Sequence, residues 1–155
     1  MKSSRLHGAL ACFGVVAAVL AGTLAIAGCS ASAKGGQIEA RTWHVRAVAV
    51  AGGEPKEAFL TVPMDARYEG GKVSGNAGCS TYTGSYVISG EKLSVAGIQA
   101  VKTSCDQFAA VADAAYMAVL PGAATFKVEG AELSIYGNGG KEILHCRDEQ
   151  AFQNQ

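Results

Sequence analysis

The sequence predicts an α+β domain, with a mostly antiparallel, curved, half-barrel-like β-sheet packed with one main α-helix near residues 105–120. Three observations predict it. Short runs in which apolar and polar residues alternate occur on both sides of the chain's middle. One stretch between them changes to the period of a helix. Short glycine-bearing turns separate most of the runs.

Each element can be justified in order. Trp43, Val45 and Ala47 alternate with His44, Arg46 and Val48, the period of a half-buried strand, and Gly52-Gly53-Glu54-Pro55 ends it. Residues 58–62 (AFLTV) read as a second strand stopped by Pro63, which has no N–H to give a sheet ladder. Tyr68 leads into the turn Glu69-Gly70-Gly71-Lys72. Residues 74–86 (SGNAGCSTYTGSY) read as a shaped loop that enters a strand at Tyr86, because glycine frees the backbone and Asn and Ser bond to their own turns. Tyr86 and Ile88 pair with Leu93 and Val95 around the turn Ser89-Gly90-Glu91-Lys92, while residues 97–103 show no clear period.

Phe108, Val111, Ala112, Ala115, Val119 and Leu120 then fall on one face of an amphipathic helix. Ser104 and Gln107 have the spacing of a capping box, Asp106 suits the positive end, and Pro121-Gly122 halts the run. Phe126 and Val128 turn into Leu133 and Ile135, and Gly137-Asn138-Gly139-Gly140 turns the chain into Glu142-Ile143-Leu144-His145-Cys146, where Leu144 and Cys146 should point inward. Residues 150–155 read as a disordered polar tail.

The first 28 residues read as a lipoprotein signal peptide. Lys2 and Arg5 form a basic start, residues 8–27 carry no charge, and the run ends in Ile26-Ala27-Gly28-Cys29, which matches a bacterial lipobox. About 20 apolar residues also suffice for a transmembrane helix, so length does not separate the two readings. The small residues that lead to one cysteine favour the lipobox. Lipidated Cys29 would hold the protein to a membrane without a spanning segment, with residues 29–38 as a flexible tether and residues 39–149 as the domain. Ser30 lacks the acidic character of an inner-membrane retention signal, which favours the outer membrane in a Gram-negative cell.

Cleavage before Cys29 leaves 127 of the 155 residues. Loss of Lys2 and Arg5 leaves 11 basic and 13 acidic side chains, a net charge of −2. That value gives no reason to expect a nucleic-acid partner. Cys79, Cys105 and Cys146 remain for an oxidising compartment. Intervals of 26 and 41 residues without a C-x-x-C pair argue against zinc, and the sequence calls for no metal or other cofactor.

Enzymatic motifs are missing. No G-x-S-x-G elbow occurs, and His44 and His145 both read as surface residues. A small hydrolase would need one of these histidines hydrogen-bonded to a Ser and an Asp in a cleft. Glu54 with Glu57 and Glu129 with Glu132 read as solvated turn residues rather than glycosidase pairs. The expectation is a non-enzymatic protein. Asn76, Ser80, Tyr82 and Tyr86, with Tyr68 nearby, are candidates for a binding surface, and the alternative is that the tyrosines pack at the sheet edge.

Residues 74–86 resemble the Gly-Cys-Asn-x-Tyr-x-Gly-x-Tyr signature of the META domain, the family of HslJ-like heat-shock lipoproteins. The resemblance covers residues 41–147. Trp43 stands at the tryptophan of the family's first strand, Phe59 and Leu60 at its second, and Cys105 at the end of a Thr-x-x-Ala-Cys type run. Asp113, Tyr116 and Leu120 fit an acidic-x-x-aromatic-x-x-x-Leu helix. Ser80 replaces the usual Asn, Val101-Lys102-Thr103-Ser104 departs from the second signature, and Cys146 stands where an aromatic or aliphatic residue is usual.

Beside this resemblance, a disulfide between Cys79 and Cys105 is the favoured thiol arrangement. Reduced core thiols, or a bridge from Cys146 to either, are the alternatives. The family implies an envelope lipoprotein that contributes to stress tolerance by binding a protein or a small apolar ligand. The other reading is a pilotin-like carrier for an acyl chain or a secretion component, with Ala109, Ala110, Ala112 and Ala115 leaving room for a cleft.

Overall fold

The computed structural model describes residues 36–148 and residue 150. The signal peptide, Cys29, the tether as far as residue 35 and the tail from residue 151 lie outside the described residues. Residues 36–38 form a helical turn with Ile38 fully buried, so the last three residues assigned to the tether belong to the domain.

Nine strands follow: β1 (Thr42–Ala49), β2 (Pro55–Lys56), β3 (Asp65–Glu69), β4 (Lys72–Asn76), β5 (Ser80–Ser89), β6 (Lys92–Lys102), β7 (Ala123–Glu129), β8 (Glu132–Gly137) and β9 (Glu142–Asp148). One helix, α1 (Gln107–Val119), lies between β6 and β7. Every named strand pair is antiparallel and the order is β2-β1-β3-β4-β5-β6-β7-β8-β9. β1 also pairs with β9, from Trp43↔Asp148 to Val48↔Leu144, so eight strands close on themselves and β2 only extends one edge of β1.

This closed barrel overturns the expected α+β half-barrel. Neighbouring hairpins are readable from local pattern, but the β1–β9 pairing joins residues about a hundred positions apart and leaves no local trace. The helix occurs where expected, yet it is a minor element inserted into a β-barrel. Two further expectations are corrected. Residues 58–62 form no strand: Glu57–Phe59 is a 3-10 turn, Phe59 and Val62 are buried, and Leu60 is exposed. Residues 74–86 are mostly strand, with β4 running to Asn76 and β5 starting at Ser80, so the shaped loop shrinks to Ala77-Gly78-Cys79.

The barrel interior is filled. Trp43, Tyr68, Leu93, Tyr116, Leu120, Leu133, Ile135 and Leu144 are each at most 1% exposed. A register shift between Val45 and Ala47 changes the phase of β1, so that Trp43 and Val45 point inward before it and Val48 after it. Trp43 donates from Nε1 to the Ile38 carbonyl at 2.8 Å, which satisfies its one polar atom in the core.

Closure is uneven. β6 meets β7 at a single register pair, Lys92↔Thr125, with the Phe126 N–H donating to the Glu91 carbonyl. The chain between these strands forms α1, which places Ala112, Tyr116 and then Leu120 in the core. Asp106 caps it, accepting from the Ala109 N–H at 2.8 Å, rather than Ser104. The buried face also differs from the expected one. Ala112, Asp113 and Tyr116 point inward, while Phe108 and Val111 are 49% and 53% exposed.

Candidate functional site

The stretch singled out by sequence forms a corner where β4, β5 and α1 meet. Cys79 and Cys105 are joined by a disulfide with Cα atoms 5.6 Å apart, and Cys146 is a buried free thiol. The bridge ties the start of β5 to the residue before the cap of α1. Around it, the Cys79 carbonyl accepts from both the N–H and the hydroxyl of Thr103, and the Cys79 N–H donates to the Asp113 carboxylate at 3.3 Å. Asp113 is thus a buried acid with a backbone partner.

Two glycines make this corner possible. Gly78 has φ +110°, where other residues are strained, and a Cβ there would press on Val62 and Ala109. A Cβ on Gly75 would overlap the backbone of Asp65, so the closeness of β3 to this part of β4 depends on glycine. Asp65 also accepts from the Asn76 N–H through Oδ1, and the Asn76 side chain accepts from the Gly78 N–H at 2.6 Å.

The four candidate surface residues separate. Asn76 is half-buried in the turn, whereas Ser80, Tyr82 and Tyr86 are 4%, 2% and 6% exposed. The tyrosines therefore furnish the interior and do not form an outer binding face, because alternation along β5 turns Ser80, Tyr82 and Tyr86 inward. The Tyr82 and Tyr116 hydroxyls are 2.6 Å apart, and Tyr82 also reaches the Asp65 carbonyl. Tyr86 bonds to the Glu39 carboxylate and packs edge-on against Tyr68. Burial, reinforced by the Glu39 contact, pushes the Tyr86 phenol up to about 12. Burial likewise raises Tyr68, Tyr82, Tyr116 and the Cys146 thiol. These groups stay protonated at neutral pH, and Cys146 is held as an unreactive thiol.

His145, read as a surface residue, is half-exposed at the centre of a polar cluster on β8 and β9. Its Nδ1 lies 2.9 Å from Glu142 and 3.3 Å from the Ser134 hydroxyl, and its Nε2 lies 3.2 Å from Glu132. Glu132 also pairs with Arg147. Each imidazole nitrogen therefore has its own carboxylate, and Ser134 shares Nδ1 with Glu142. A serine nucleophile would need a nitrogen to itself as base. His44 sits on β1 in register with Asp65 and Arg147. Among the described residues, no group of three His, Cys, Asp or Glu side chains is arranged to hold a metal ion.

Two of the grooves on the outer surface join residues distant in the chain. One of about 680 Å³ runs along the β6–β7 seam, lined by Val87, Leu93, Pro121, Ala123, Thr125 and Asn138 among others, with Lys92 its one charged lining residue. The other, about 390 Å³, lies beside His145 and includes Glu54, Glu57, Lys141 and Glu142. Sequence reasoning missed both, since each joins residues distant in the chain. It also missed Asp65, whose neighbours Gly75, Asn76 and Tyr82 come from two other strands. No helix among the described residues is long and apolar enough to cross a membrane.

Comparison with known proteins agrees with this architecture. An NMR structure of a protein from Burkholderia xenovorans is similar over 72% of this chain and 83% of its own, with a TM-score of 0.59 and 20% identity. A crystal structure of a DUF4847 family protein from Bacteroides vulgatus is similar over 71% of this chain and 93% of its own, with a TM-score of 0.54 and 15% identity. At such identities the likeness concerns the fold alone. No curated protein matches the chain. The META domain profile, however, matches residues 36–150, most of the chain and every element of the barrel, and the chain belongs to the META domain family.

Proposed function

We propose that this META protein is an envelope lipoprotein, anchored through a lipid on Cys29, whose barrel acts as a non-enzymatic binding module in envelope stress tolerance. The observation that carries the reading is the Cys79–Cys105 bridge. Its Cys105 end is exposed, and a structural disulfide of that kind belongs to a compartment where thiols are kept oxidised. The uncharged run ending in Ile26-Ala27-Gly28-Cys29 supplies both the export signal and the anchor that such a location needs. Two acyl chains, at about 0.8 kcal/mol per buried CH₂, hold a protein far more firmly than one. Because the barrel interior is occupied by side chains, binding falls to the outer surface, which argues for a protein partner over an acyl chain carried inside. The engagement of both His145 nitrogens by carboxylates supports the non-enzymatic part of the reading.

The test is metabolic labelling of cells that express the full chain with a radiolabelled fatty acid. Wild type should be labelled and recovered with membranes, and Cys29→Ala should lose the label. An unlabelled wild-type protein, or equal labelling of the variant, would sink the anchor.

A further inference from the structure

We infer that the wall formed by β4, β5, β6 and the outer face of α1 rests on the lipid bilayer that holds the Cys29 anchor. The inference builds on the lipoprotein reading and adds an orientation to it. Charge is divided sharply around the barrel. Residues 73–126 contain five Asp, Glu, Lys or Arg residues in 54 positions (Glu91, Lys92, Lys102 and Asp106, which are exposed, and Asp113, which is buried), and β4 adds the exposed Lys72 at its start. Residues 36–72 and 127–148 together contain 17 in 59. Exposed apolar side chains are divided the opposite way. Val87 and Val101 are 69% and 70% exposed, and Phe108 and Val111 about half, all within residues 73–126. Outside that range Val50 and Leu60 are exposed to a lesser degree, and Leu60 follows Phe59, whose ring lies 5.6 Å from that of Phe108.

The helix states the case most plainly. A surface helix normally turns its charged residues to water. The one charged residue between Gln107 and Val119 is Asp113, and it faces inward to the Cys79 N–H. Outward, α1 shows Gln107, Phe108, Val111, Ala114 and Ala118. On the adjoining sheet, Thr81, Thr83 and Ser89 expose hydroxyls that can donate to lipid carbonyl and phosphate oxygens. An ion pressed against the headgroup–acyl boundary must lose water, and the exposed ions of this wall, Lys72, Glu91, Lys92, Lys102 and Asp106, stand at the ends of its strands and helix rather than across its face.

The tether decides between a bilayer and other apolar partners. Six residues lie between Cys29 and Gly36, and the seven Cα–Cα steps that join them reach at most about 25 Å when fully extended. The eight residues of β1 span roughly the same distance. A lipid on Cys29 therefore keeps the domain within about its own height of the bilayer. The chain enters the barrel at the boundary of this wall, where Gln37 shares a pocket with Glu91 and with Phe126, Lys127, Val128 and Glu129 of β7 at the β6–β7 seam. The bilayer is thus the surface this wall meets at the highest effective concentration. The charged wall then faces the aqueous compartment and any soluble partner.

The test uses the lipidated full chain in phosphatidylcholine vesicles containing a nitroxide-bearing lipid, with a bimane label on Val111→Cys, Val101→Cys or Lys141→Cys. Cys146 is 1% exposed and will not compete for the label. Quenching should be severalfold greater at positions 111 and 101 than at 141. Adding Phe108→Glu should reduce it at position 101 without releasing the protein from vesicles. Equal quenching at all three positions, with the protein still bound to vesicles, would overturn the orientation. Label-to-label contact between copies at position 111 without lipid quenching would overturn it in favour of a dimer. If wild type itself fails to sediment with vesicles, the anchor reading falls first.

Discussion

The wall of β7, β8, β9, β1 and β3 and the wall of β4, β5, β6 and α1 close the same barrel by different means. The first is laddered with few interruptions, through β7–β8, β8–β9 and β1–β9 pairs. Its outer surface carries ion pairs such as Lys127–Glu129 and Arg147–Glu132. The second is well laddered within itself, through β4–β5 and β5–β6 pairs, but it joins the first at β6–β7 by a single pair, Lys92↔Thr125. There the chain substitutes a helix, a disulfide and the Tyr82–Tyr116–Asp65 hydrogen bonds. The difference shows that a missing strand contact can be replaced by covalent and side-chain ties. It also shows that the wall joined in this way is the one with fewer charged residues.

The strongest way to break this comparison is to remove the plug. Tyr116→Ala should cost roughly 3–5 kcal/mol, as for other buried aromatics, against about 2–5 kcal/mol for Leu144→Ala in the laddered wall. Both are read by denaturant unfolding. A loss below about 1 kcal/mol for Tyr116→Ala would make α1 dispensable to closure. Next comes the bridge. The cysteines are separated by 26 residues, and reduction, or Cys105→Ser, should remove roughly 3 kcal/mol by constraining the unfolded chain less. Unfolding midpoints that agree with and without reductant would deny the tie any such part.

A third prediction concerns alkali. Tyr68, Tyr82, Tyr86, Tyr116 and Cys146 all hold their protons more tightly when folded than free tyrosine at 10.0 or cysteine at 9.0. Above those values the unfolded chain binds fewer protons than the folded one. Stability should therefore be level with respect to these groups below pH about 9 and fall as pH rises beyond it. Cys146→Ala should delay the onset towards pH about 10. A profile that stays flat from pH 9 to 11 would contradict burial of the tyrosine cluster. The smallest effect belongs to the charged wall. Lys127→Ala should leave the denaturant midpoint nearly unchanged, because the pair with Glu129 is solvated, and salt should erase any difference.

How much of this was legible in the sequence depended on the range of the signal. The β8–β9 and β5–β6 hairpins could be read because their turns and alternating residues are adjacent in the chain. Residues 58–62 misled because Phe59 and Val62, three apart, are buried in a turn that looks β-rich in composition. Glycine, serine and threonine disguised the start of β5 as a loop, although the inward alternation of Ser80, Tyr82 and Tyr86 was present. On α1 the apolar stripe selected Phe108 and Val111, which are exposed, while the family pattern of Asp113, Tyr116 and Leu120 selected the buried face. Hydrophobicity alone could not rank them, because a helix that is apolar nearly all round has no unique inward stripe. Barrel closure is a three-dimensional fact, visible only once β1 meets β9, whereas the sparse charge of residues 73–126 stands in the sequence and only their gathering into one wall does not.

The most direct measurement of the central claim, that the two walls face different surroundings, is photo-crosslinking in intact cells from a reactive residue placed at Val111 or at Lys141. Adducts from position 111 should contain lipid and should disappear in Cys29→Ala, while position 141 should give no lipid adduct. Lipid adducts of equal yield from both positions, or their persistence at position 111 without the Cys29 anchor, would contradict the account.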